Sequence, residues 1–371
     1  MPTVVTETAF VSKHSQARQN IHSTHNRTDN DVIAAVTPKL PADFMARTPL
    51  RALLTIPLVA AAAGLFYTIA FLDLPFYVDI ALGLCLGNLY GIMMFHGHEI
   101  GHGAIVKNPT LQRILMYPLL AAFCLPPRFW QTWHNRAHHN FTNKPDLDPD
   151  NFGSLAQYEK DGFGGRLALK LAPGSGHILS FFYMLTFFFG QGQHVMWMKS
   201  RKLPTFEGAA LGGLRIQSLL LIAGWIALGY WIGLYNSLFA IIIPFCFSNA
   251  MLLSYIMTNH MLNPLSDERD SLTTSMGLKS PWIIDFMHLN FSHHIEHHIF
   301  PTVATHKLPA ARAAIRETFP ADYRIMTHPQ ALKVVFTTPR LYEDHHNLIH
   351  PITRRRVATE SINPNPKKKA V

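Results

Sequence analysis

The chain has 371 residues, of which 48% are apolar, and its mean hydropathy is +0.10. Lys and Arg number 32 against 23 Asp and Glu, so the formal charge is +9. These values restrict the chain to two classes, a large soluble domain or a small membrane protein with sizeable polar parts.

The positions of the basic residues decide between these classes. No Lys or Arg occurs from Ala52 to Val106 or from Ile216 to Glu268. Each gap accommodates two helices of about 20 residues, the length that crosses a hydrocarbon core of about 30 Å. The sequence therefore predicts an all-α membrane protein with two transmembrane helical hairpins. The four predicted spans are about residues 53–72, 76–95, 214–234 and 238–257.

All basic residues lie outside these two gaps. If both hairpins enter and leave from one side, the positive-inside rule makes that side cytoplasmic. We therefore expect cytoplasmic termini, in a bacterial inner membrane or the endoplasmic reticulum. A basic face attracts anionic lipid headgroups or an acidic protein, and an integral membrane location argues against nucleic acid as a partner.

The remaining segments are assigned by polarity and length. Residues 1–45 are polar and predict a disordered cytoplasmic N-terminal arm, with no signal peptide at its start. Residues 46–320 form the predicted membrane domain, and residues 321–371 a cytoplasmic C-terminal tail. We interpret the aromatic segment 177–198 as an interfacial helix, with a fifth crossing as the alternative. Gly83, Gly87 and Gly91 recur at every fourth position of the second span and predict a helix-packing surface.

The first histidine cluster stands at the cytoplasmic end of the second span. His98 and His102 are four residues apart and therefore share one face of a helix, whereas His96 points elsewhere. A single histidine at a membrane boundary is usually interfacial, but three within seven residues favour a site.

A second cluster follows the short apolar segment 111–125, which is too short to cross and is expected at the interface. His134 and His138 share one face of an α-helix, and His139 is turned away. Three aspartates then occur at alternate positions and lack the glycine and glutamate of a calcium loop. We interpret them as a solvated turn or as hydrogen-bond partners of the histidines: Asp146, Asp148 and Asp150.

The third cluster places five histidines within eleven residues, at positions 288, 293, 294, 297 and 298. Imidazole is a poor core filler and a mediocre helix former, so this density indicates a metal site. On a helix His294, His297 and His298 lie near one another. Adjacent side chains are turned by about 100°, so His297 and His298 could serve two different ions.

Folding as two hairpins brings the three clusters to one membrane face, together with His260 at the exit of the fourth span. The eight spaced histidines exceed the three or four ligands of one zinc site and suit two metal ions with about four ligands each. Imidazole-rich sites with open positions suit iron that binds dioxygen.

The order and spacing of the clusters resemble the three histidine boxes of integral-membrane fatty acid desaturases. The boxes HxxxH, HxxxHH and HxxHH begin here at His98, His134 and His294. The resemblance covers about residues 50–320. It implies four spans and a cytoplasmic helical cap that holds a non-haem di-iron centre.

The resemblance also implies the ligands of two iron ions: His98, His102, His134, His138, His139, His260, His294, His297 and His298. Possible hydrogen-bond partners around them are Glu99, His96, Asn259, His293 and Glu296. No catalytic residue beyond the ligands is expected, because the metals carry the reaction. Two positions depart from the family pattern: Glu99 replaces the usual Asp, and Ile256 stands where some members carry an Asn that binds iron through water.

The implied reaction uses dioxygen and two electrons to introduce a C=C bond into a fatty acyl chain. That chain is carried by a membrane lipid, coenzyme A or acyl carrier protein. Neither the glycine fingerprint of a dinucleotide-binding fold nor a His-Pro-Gly-Gly haem signature occurs in the sequence. We therefore expect an external electron donor such as ferredoxin or cytochrome b5, docked on the basic face.

Two alternatives remain at this point. A related hydroxylase or acetylenase would use the same boxes with a different outcome. A histidine-rich metal transporter is a more distant alternative, because transporters place their ligands near the bilayer midplane and here the histidines sit at span ends.

Overall fold

The computed structural model describes residues 27–144, 146–151 and 153–362. The first α-helices are α1 (Asp29–Val36), α2 (Thr55–Phe71), α3 (Phe76–Gly101), α4 (Pro109–Leu120), α5 (Pro127–Gln131), α6 (His139–Phe141), α7 (Leu155–Lys160), α8 (Phe163–Leu171) and α9 (Ser180–His194). They are followed by α10 (Leu211–Ile232), α11 (Leu234–Ser237), α12 (Ile243–His260), α13 (Ser271–Thr274), α14 (Trp282–Met287), α15 (His294–Ile299), α16 (Leu308–Thr318), α17 (His328–Thr337) and α18 (Thr359–Ile362).

Tighter and wider helical segments join several of these helices. The 3-10 turns are Thr37–Lys39, Pro49–Leu54, Ala121–Phe123, Pro204–Phe206 and Thr305–Lys307, and the π-helical segments are Thr132–His138, Val195–Lys199 and Leu238–Ile242. The strands are β1 (Gly277–Lys279), β2 (Ile325–Thr327), β3 (Leu341–Tyr342), β4 (Asn347–Ile349) and β5 (Arg356–Ala358). Strands β1 and β2 pair in parallel, and β3, β4 and β5 form an antiparallel sheet in that order.

Four helical segments of the described residues are long and apolar enough to cross a membrane: Pro49–Phe71, Phe76–Gly101, Leu211–Ile232 and Leu234–His260. They confirm the prediction of two transmembrane hairpins. The second and fourth run past the predicted ends at residues 95 and 257, to Gly101 and His260. These added turns are buried beneath the cap, so their histidines extend the helix without meeting lipid.

A row of glycines sets the distance between α3 and α12. A Cβ atom built on Gly87 would lie 2.7 Å from the Pro244 carbonyl oxygen and 2.9 Å from the Phe247 Cβ. One built on Gly83 would lie 2.7 Å from the Phe239 carbonyl oxygen. The two backbones approach each other at a distance that only glycine allows, which confirms the predicted packing surface.

Two shorter helices lie beside the spans. Asn108 caps α4 by accepting hydrogen bonds from the amides of Thr110 and Leu111, at 2.9 and 3.1 Å. Helix α9 lies against α12, where the Phe189 amide donates to Asn249 Oδ1 at 2.9 Å. Among the described helices neither α4 nor α9 meets the length and hydropathy of a membrane crossing.

The N-terminal segment differs from the predicted disordered arm from residue 27 onward. Helix α1 begins with a capping box between Thr28 and Asp31, and its apolar face buries Val32 and Val36 completely. This face packs in one cluster with the residues of α15 and α16. A helix of this length is not stable alone in water. Helix α1 therefore depends on its packing against α15 and α16 in the folded cap. Residues 1–26 of the predicted arm lie outside the described residues.

The predicted C-terminal tail is folded over most of its length. Residues 321–362 contribute strands β2 to β5 and helices α17 and α18, and they bury Val335, Tyr342 and Leu348 against the rest of the protein. The Tyr342 hydroxyl donates to the Asn263 carbonyl oxygen at 2.6 Å, just beyond α12. This segment is therefore part of the cap.

We expect that Gly87→Val lowers the free energy of unfolding by about 1–3 kcal/mol, because the added methyl groups must displace the α12 backbone. Thermal unfolding of the purified protein in detergent measures the change. Gly224→Val is the matched control, because a Cβ atom at Gly224 of α10 meets no atom within 4 Å. Equal unfolding temperatures for the two variants would contradict the close approach of α3 and α12.

Candidate metal centre

The nine histidines predicted as ligands lie in two groups. The nitrogens in each group lie within 4.8 Å of one another. The first group contains five residues and the second contains four: His98, His102, His134, His139 and His297; His138, His260, His294 and His298. Helix α3, the segment 132–141, α12 and α15 supply them, so the groups form only when all four segments are in place.

A π-helix distributes the histidines of the second cluster differently from the prediction. An α-helix would place His134 and His138 on one face and turn His139 away. The structure instead groups His134 with His139 and places His138 in the other group. The reason is that residues 132–138 form a π-helix, whose wider turn brings positions five apart onto one face. In α15, neighbouring His297 and His298 fall in different groups, as predicted.

The spacing of the imidazole nitrogens fits metal coordination. In the first group, the His134 Nε2 lies 2.9 Å from that of His98 and 3.1 Å from that of His139. In the second, the His138 Nε2 lies 3.1 Å from that of His260. Nitrogens bound at right angles to one ion at about 2.1 Å lie about 3 Å apart. The Nε2 of His102 is buried and makes no hydrogen bond within the described residues, which also suits a ligand.

Burial keeps most of these imidazoles neutral. Loss of solvent, reinforced by neighbouring histidines, lowers the pKa well below its ordinary value at His102, His134, His139, His294 and His298. The same burial lowers the pKa of His297 to about 3. Neutral imidazole is the form that offers a lone pair to a metal, so these side chains are ready to bind one at neutral pH.

His138 differs because two carboxylates face it. Burial lowers the pKa of His138, but the charges of Asp148 and Asp150 outweigh burial and raise it above the ordinary value. Its Nδ1 donates to Asp148 Oδ1 at 3.0 Å, and its Nε2 therefore faces His260. This carboxylate–histidine arrangement fixes the tautomer and orientation of the His138 ring, as such pairs do for metal-binding histidines. The sequence allows two interpretations of the aspartates, as a solvated turn or as partners of the histidines. The second interpretation is correct for Asp148 and Asp150, since both carboxylates contact His138.

Asn143 was not predicted from the sequence, and it joins the second cluster to the fourth span. Its amide nitrogen donates to the backbone oxygens of His260, at 3.1 Å, and Thr274, at 3.0 Å. Its backbone N–H donates to Asp148 Oδ2 at 2.7 Å. Asn143 has a φ of 60°, which suits Asn better than most residues. That preference is the one signal in the sequence that could have marked it.

Glu99 hydrogen-bonds to Arg51 and Thr305 rather than to one of the nine clustered histidines. Its Oε2 accepts from Arg51 at 3.0 Å, and its Oε1 accepts from the Thr305 amide at 2.8 Å. Its nearest imidazole is His96, whose Nδ1 lies 3.8 Å away and whose Nε2 lies 3.2 Å from the Thr55 hydroxyl. Glu99 therefore joins the first span to the segment after α15 and holds the first cluster between them.

Glu296 has a similar role between the ligands of the third cluster. Its carboxylate is fully buried and accepts hydrogen bonds from Arg312, at 3.1 Å, and from the Tyr323 hydroxyl. Arg312 also donates to the backbone oxygens of Leu278 and Ser292, at 3.0 and 2.8 Å. The sequence marked Glu296 as a partner of a histidine, whereas the structure pairs it with Arg312 and so anchors α15.

The other predicted neighbours lie beside the groups. His293 Nδ1 lies 3.1 Å from the Ser292 hydroxyl, and His288 bonds to Tyr255 and Asn88, at 2.9 and 3.0 Å. The Asn259 side chain is buried and without a hydrogen bond inside the described residues.

An apolar cavity opens onto both groups. His98 and His134 of the first group and His138, His260 and His294 of the second line one side. Apolar side chains line most of the remainder, among them Met94, Phe95, Phe188, Leu252, Ile256 and Phe291. Ile256, which replaces the Asn of some desaturases, therefore adds to the apolar wall. Apolar surface therefore lies directly beside the histidines.

A family model described as fatty acid desaturase matches residues 74–330 of the chain. The chain therefore belongs to the fatty acid desaturase family. It is similar to two Delta 8-(E)-sphingolipid desaturases. That of Kluyveromyces lactis is 23% identical over 290 residues, which are 68% of this chain and 48% of the relative. That of Emericella nidulans is 25% identical over 287 residues, 69% of this chain and 51% of the relative.

A shorter similarity links the chain to the sn-1 acyl-lipid omega-3 desaturase (ferredoxin) of Synechocystis sp. The two are 30% identical over 129 residues, which are 33% of this chain and 35% of the relative. The chain spans about half the length of the two sphingolipid desaturases. Membership of the family favours an oxidoreductase site over the transporter alternative.

We expect that Asp148→Asn weakens metal binding by about 10- to 100-fold, because it removes the charge that orients His138. Iron retained during titration with a chelator measures the effect. Asp146→Asn is the matched control in the same turn, since Asp146 is exposed and bonds to Gln157. Equal iron retention by the two variants would show that Asp148 does not support a metal ligand.

Proposed function

We propose that this protein is a membrane fatty acyl desaturase that introduces a C=C bond into an acyl chain, using dioxygen and two electrons. The observation that carries the proposal is the pair of histidine groups at the wall of an apolar cavity. A methylene group has no acidic proton, so general acid–base residues cannot start the reaction, and a redox metal is needed.

The residues present fit two iron ions. The group of five and the group of four would each hold one ion, and an imidazole-rich site with open positions suits non-haem iron. When bound, the irons supply the dioxygen chemistry that removes two hydrogens from adjacent carbons. The surrounding side chains orient the ligand histidines, exclude water and fix which part of the acyl chain faces the metals.

Positioning of the acyl chain falls to the aromatic residues of the cavity. Phe291 stacks on Phe95 with ring centroids 4.2 Å apart, and it lies 5.2 Å from the His98 ring. Trp130 stacks on His134 at 4.6 Å. These rings restrict both the ligand histidines and an alkyl chain beside them, which places successive carbons against the two groups in a fixed order.

We propose that the substrate is an acyl chain of a membrane lipid, rather than one carried by coenzyme A or acyl carrier protein. The named substrates of the relatives, sphingolipid and acyl-lipid, support this choice. Met94 and Phe95 of the second span and Leu252 and Ile256 of the fourth line part of the cavity, which supports entry of the acyl chain from the bilayer. The basic residues outside the spans support cytoplasmic termini, in a bacterial inner membrane or the endoplasmic reticulum.

The direct test is expression in a host of known lipid composition, followed by mass spectrometry of its acyl chains. We expect a new chain lighter by two hydrogens, and about two iron ions per purified protein. His298→Ala abolishes the product and lowers the iron content, because His298 belongs to the group of four. His345→Ala is the control, since His345 is partly exposed and lies in neither group.

Other products would revise the proposal in defined ways. A chain that gains one oxygen would assign the protein to the hydroxylases, and a chain that loses four hydrogens at one site to the acetylenases. Normal product from His298→Ala would refute the assignment of the histidine groups.

The electron donor is proposed to be an acidic protein such as ferredoxin or cytochrome b5. The formal charge of +9 and the word ferredoxin in the name of one relative support this. If opposite charges guide docking, donor-dependent turnover falls as ionic strength rises, since the Debye length shortens from about 10 Å at 0.1 M salt to about 3 Å at 1 M. Turnover with a chemical reductant is the control for general salt effects. A donor-dependent rate that does not fall with salt would rule out electrostatic docking.

A further inference from the structure

A second cavity of about 200 Å³ lies between helix α8, the turn before α9 and the segment 339–352. It shares no lining residue with the apolar cavity at the histidines within the described part of the chain. The fatty acyl reaction proposed above does not use it. We refer to it as the basic cavity.

Three strongly basic residues line the basic cavity. Arg166 and Lys170 are four residues apart on α8 and therefore share one of its faces. Arg340 is buried and lies over the Tyr183 ring, with its Cζ 5.6 Å from the ring centroid. The described lining residues include no carboxylate. Glu159, next to the lining residue Tyr158, is paired with Arg354 at 3.4 Å. The cavity therefore favours an anion.

The floor of the cavity is fixed by hydrogen bonds between distant parts of the chain. His350 Nδ1 accepts from the amides of Ile352, at 3.2 Å, and Thr353, at 3.1 Å. Its Nε2 therefore carries the hydrogen, which it donates to the Ser175 carbonyl oxygen at 3.3 Å. Gly174 has a φ of +84°, and a Cβ there would lie 2.3 Å from the Thr338 carbonyl oxygen, so only glycine fits. The cavity exists before any ligand binds.

Apolar side chains surround this basic cavity and face away from the protein. Phe163 at the start of α8 is 82% exposed, Ile178 before α9 is 89% exposed, and Ile352 is 74% exposed. They come from the three segments that build the cavity. A soluble anion would gain nothing from exposed apolar groups, whereas basic residues beside them are the signature of a surface that inserts into an anionic leaflet.

We propose that the basic cavity binds the phosphate group of an anionic phospholipid, with the surrounding apolar side chains inserted among its acyl chains. Arg166 and Lys170 donate charge-assisted hydrogen bonds to the phosphate oxygens, and the Arg340 guanidinium, which is held by Tyr183, adds positive charge behind them. This site is separate from the metal centre. Its occupancy does not depend on iron or on turnover, so the proposal can fail while the desaturase assignment stands.

The test is equilibrium binding of short-chain phosphatidylglycerol to the full-length protein, purified in a neutral detergent and followed by native mass spectrometry. Short-chain phosphatidylcholine, inorganic phosphate and coenzyme A are measured in parallel. We expect phosphatidylglycerol to bind most tightly. The double variant Arg166→Gln with Lys170→Gln weakens this binding about tenfold or more, since it removes two charged hydrogen-bond donors.

The matched control is Arg201→Gln with Lys202→Gln, which removes the same two charges from exposed positions outside the basic cavity. We expect this control to bind phosphatidylglycerol as the unaltered protein does. Helical circular dichroism verifies that both variants are folded, and the exposure of Arg166 and Lys170 makes that the expected result. An equal loss of phosphatidylglycerol binding in the two double variants would show that general surface charge causes the effect, and it would overturn the proposal. Tighter binding of coenzyme A would assign the cavity to a soluble carrier and would also overturn it.

Discussion

The convergence of nine imidazoles on two points is the constraint on which the rest of the structure depends. Polar side chains buried without partners are costly, and burial lowers the pKa of His102, His134 and His139 so that they stay neutral, whereas Asp148 and Asp150 raise the pKa of His138. Fixing the rings of such a cluster requires contacts from the surrounding protein, and a bound metal ion would use the imidazole lone pairs. The two groups draw on α3, the segment 132–141, α12 and α15, so one small site determines how four distant parts of the chain must pack.

Several contacts far from the two histidine groups hold these four segments in position. Gly83 and Gly87 let α3 lie close to the fourth span, so that His98 and His260 line the same cavity. Asn143 ties the second cluster to the end of α12, and the buried pair of Glu296 and Arg312 holds α15 in register. These side chains join the short helices and strands of the cap to one another. They act by position, and none of them needs to touch a substrate.

Apolar and charged side chains line two separate cavities of the protein. The cavity at the histidines is lined mostly by aromatic and aliphatic side chains, which suits a hydrocarbon chain and excludes water from the metal centre. The basic cavity lies elsewhere, where Arg166 and Lys170 stand among exposed apolar residues. Helix α9 contacts both regions, through Tyr183 at the Arg340 guanidinium and Phe188 at the apolar cavity. The two cavities thus share no described lining residue and differ in polarity.

The sequence by itself predicted the four spans and the nine histidines that cluster near their ends, because hydropathy and spacing are local properties. Only the tertiary structure decided how those residues are shared between the two groups. The π-helix at residues 132–138 pairs His134 with His139, and no local pattern marks that extra residue in the turn. The same holds for Glu99 and Glu296, whose partners Arg51 and Arg312 are 48 and 16 residues away in the chain. Helix α1 likewise forms because its apolar face meets α15 and α16, a contact between distant segments that no periodicity within residues 1–45 can reveal.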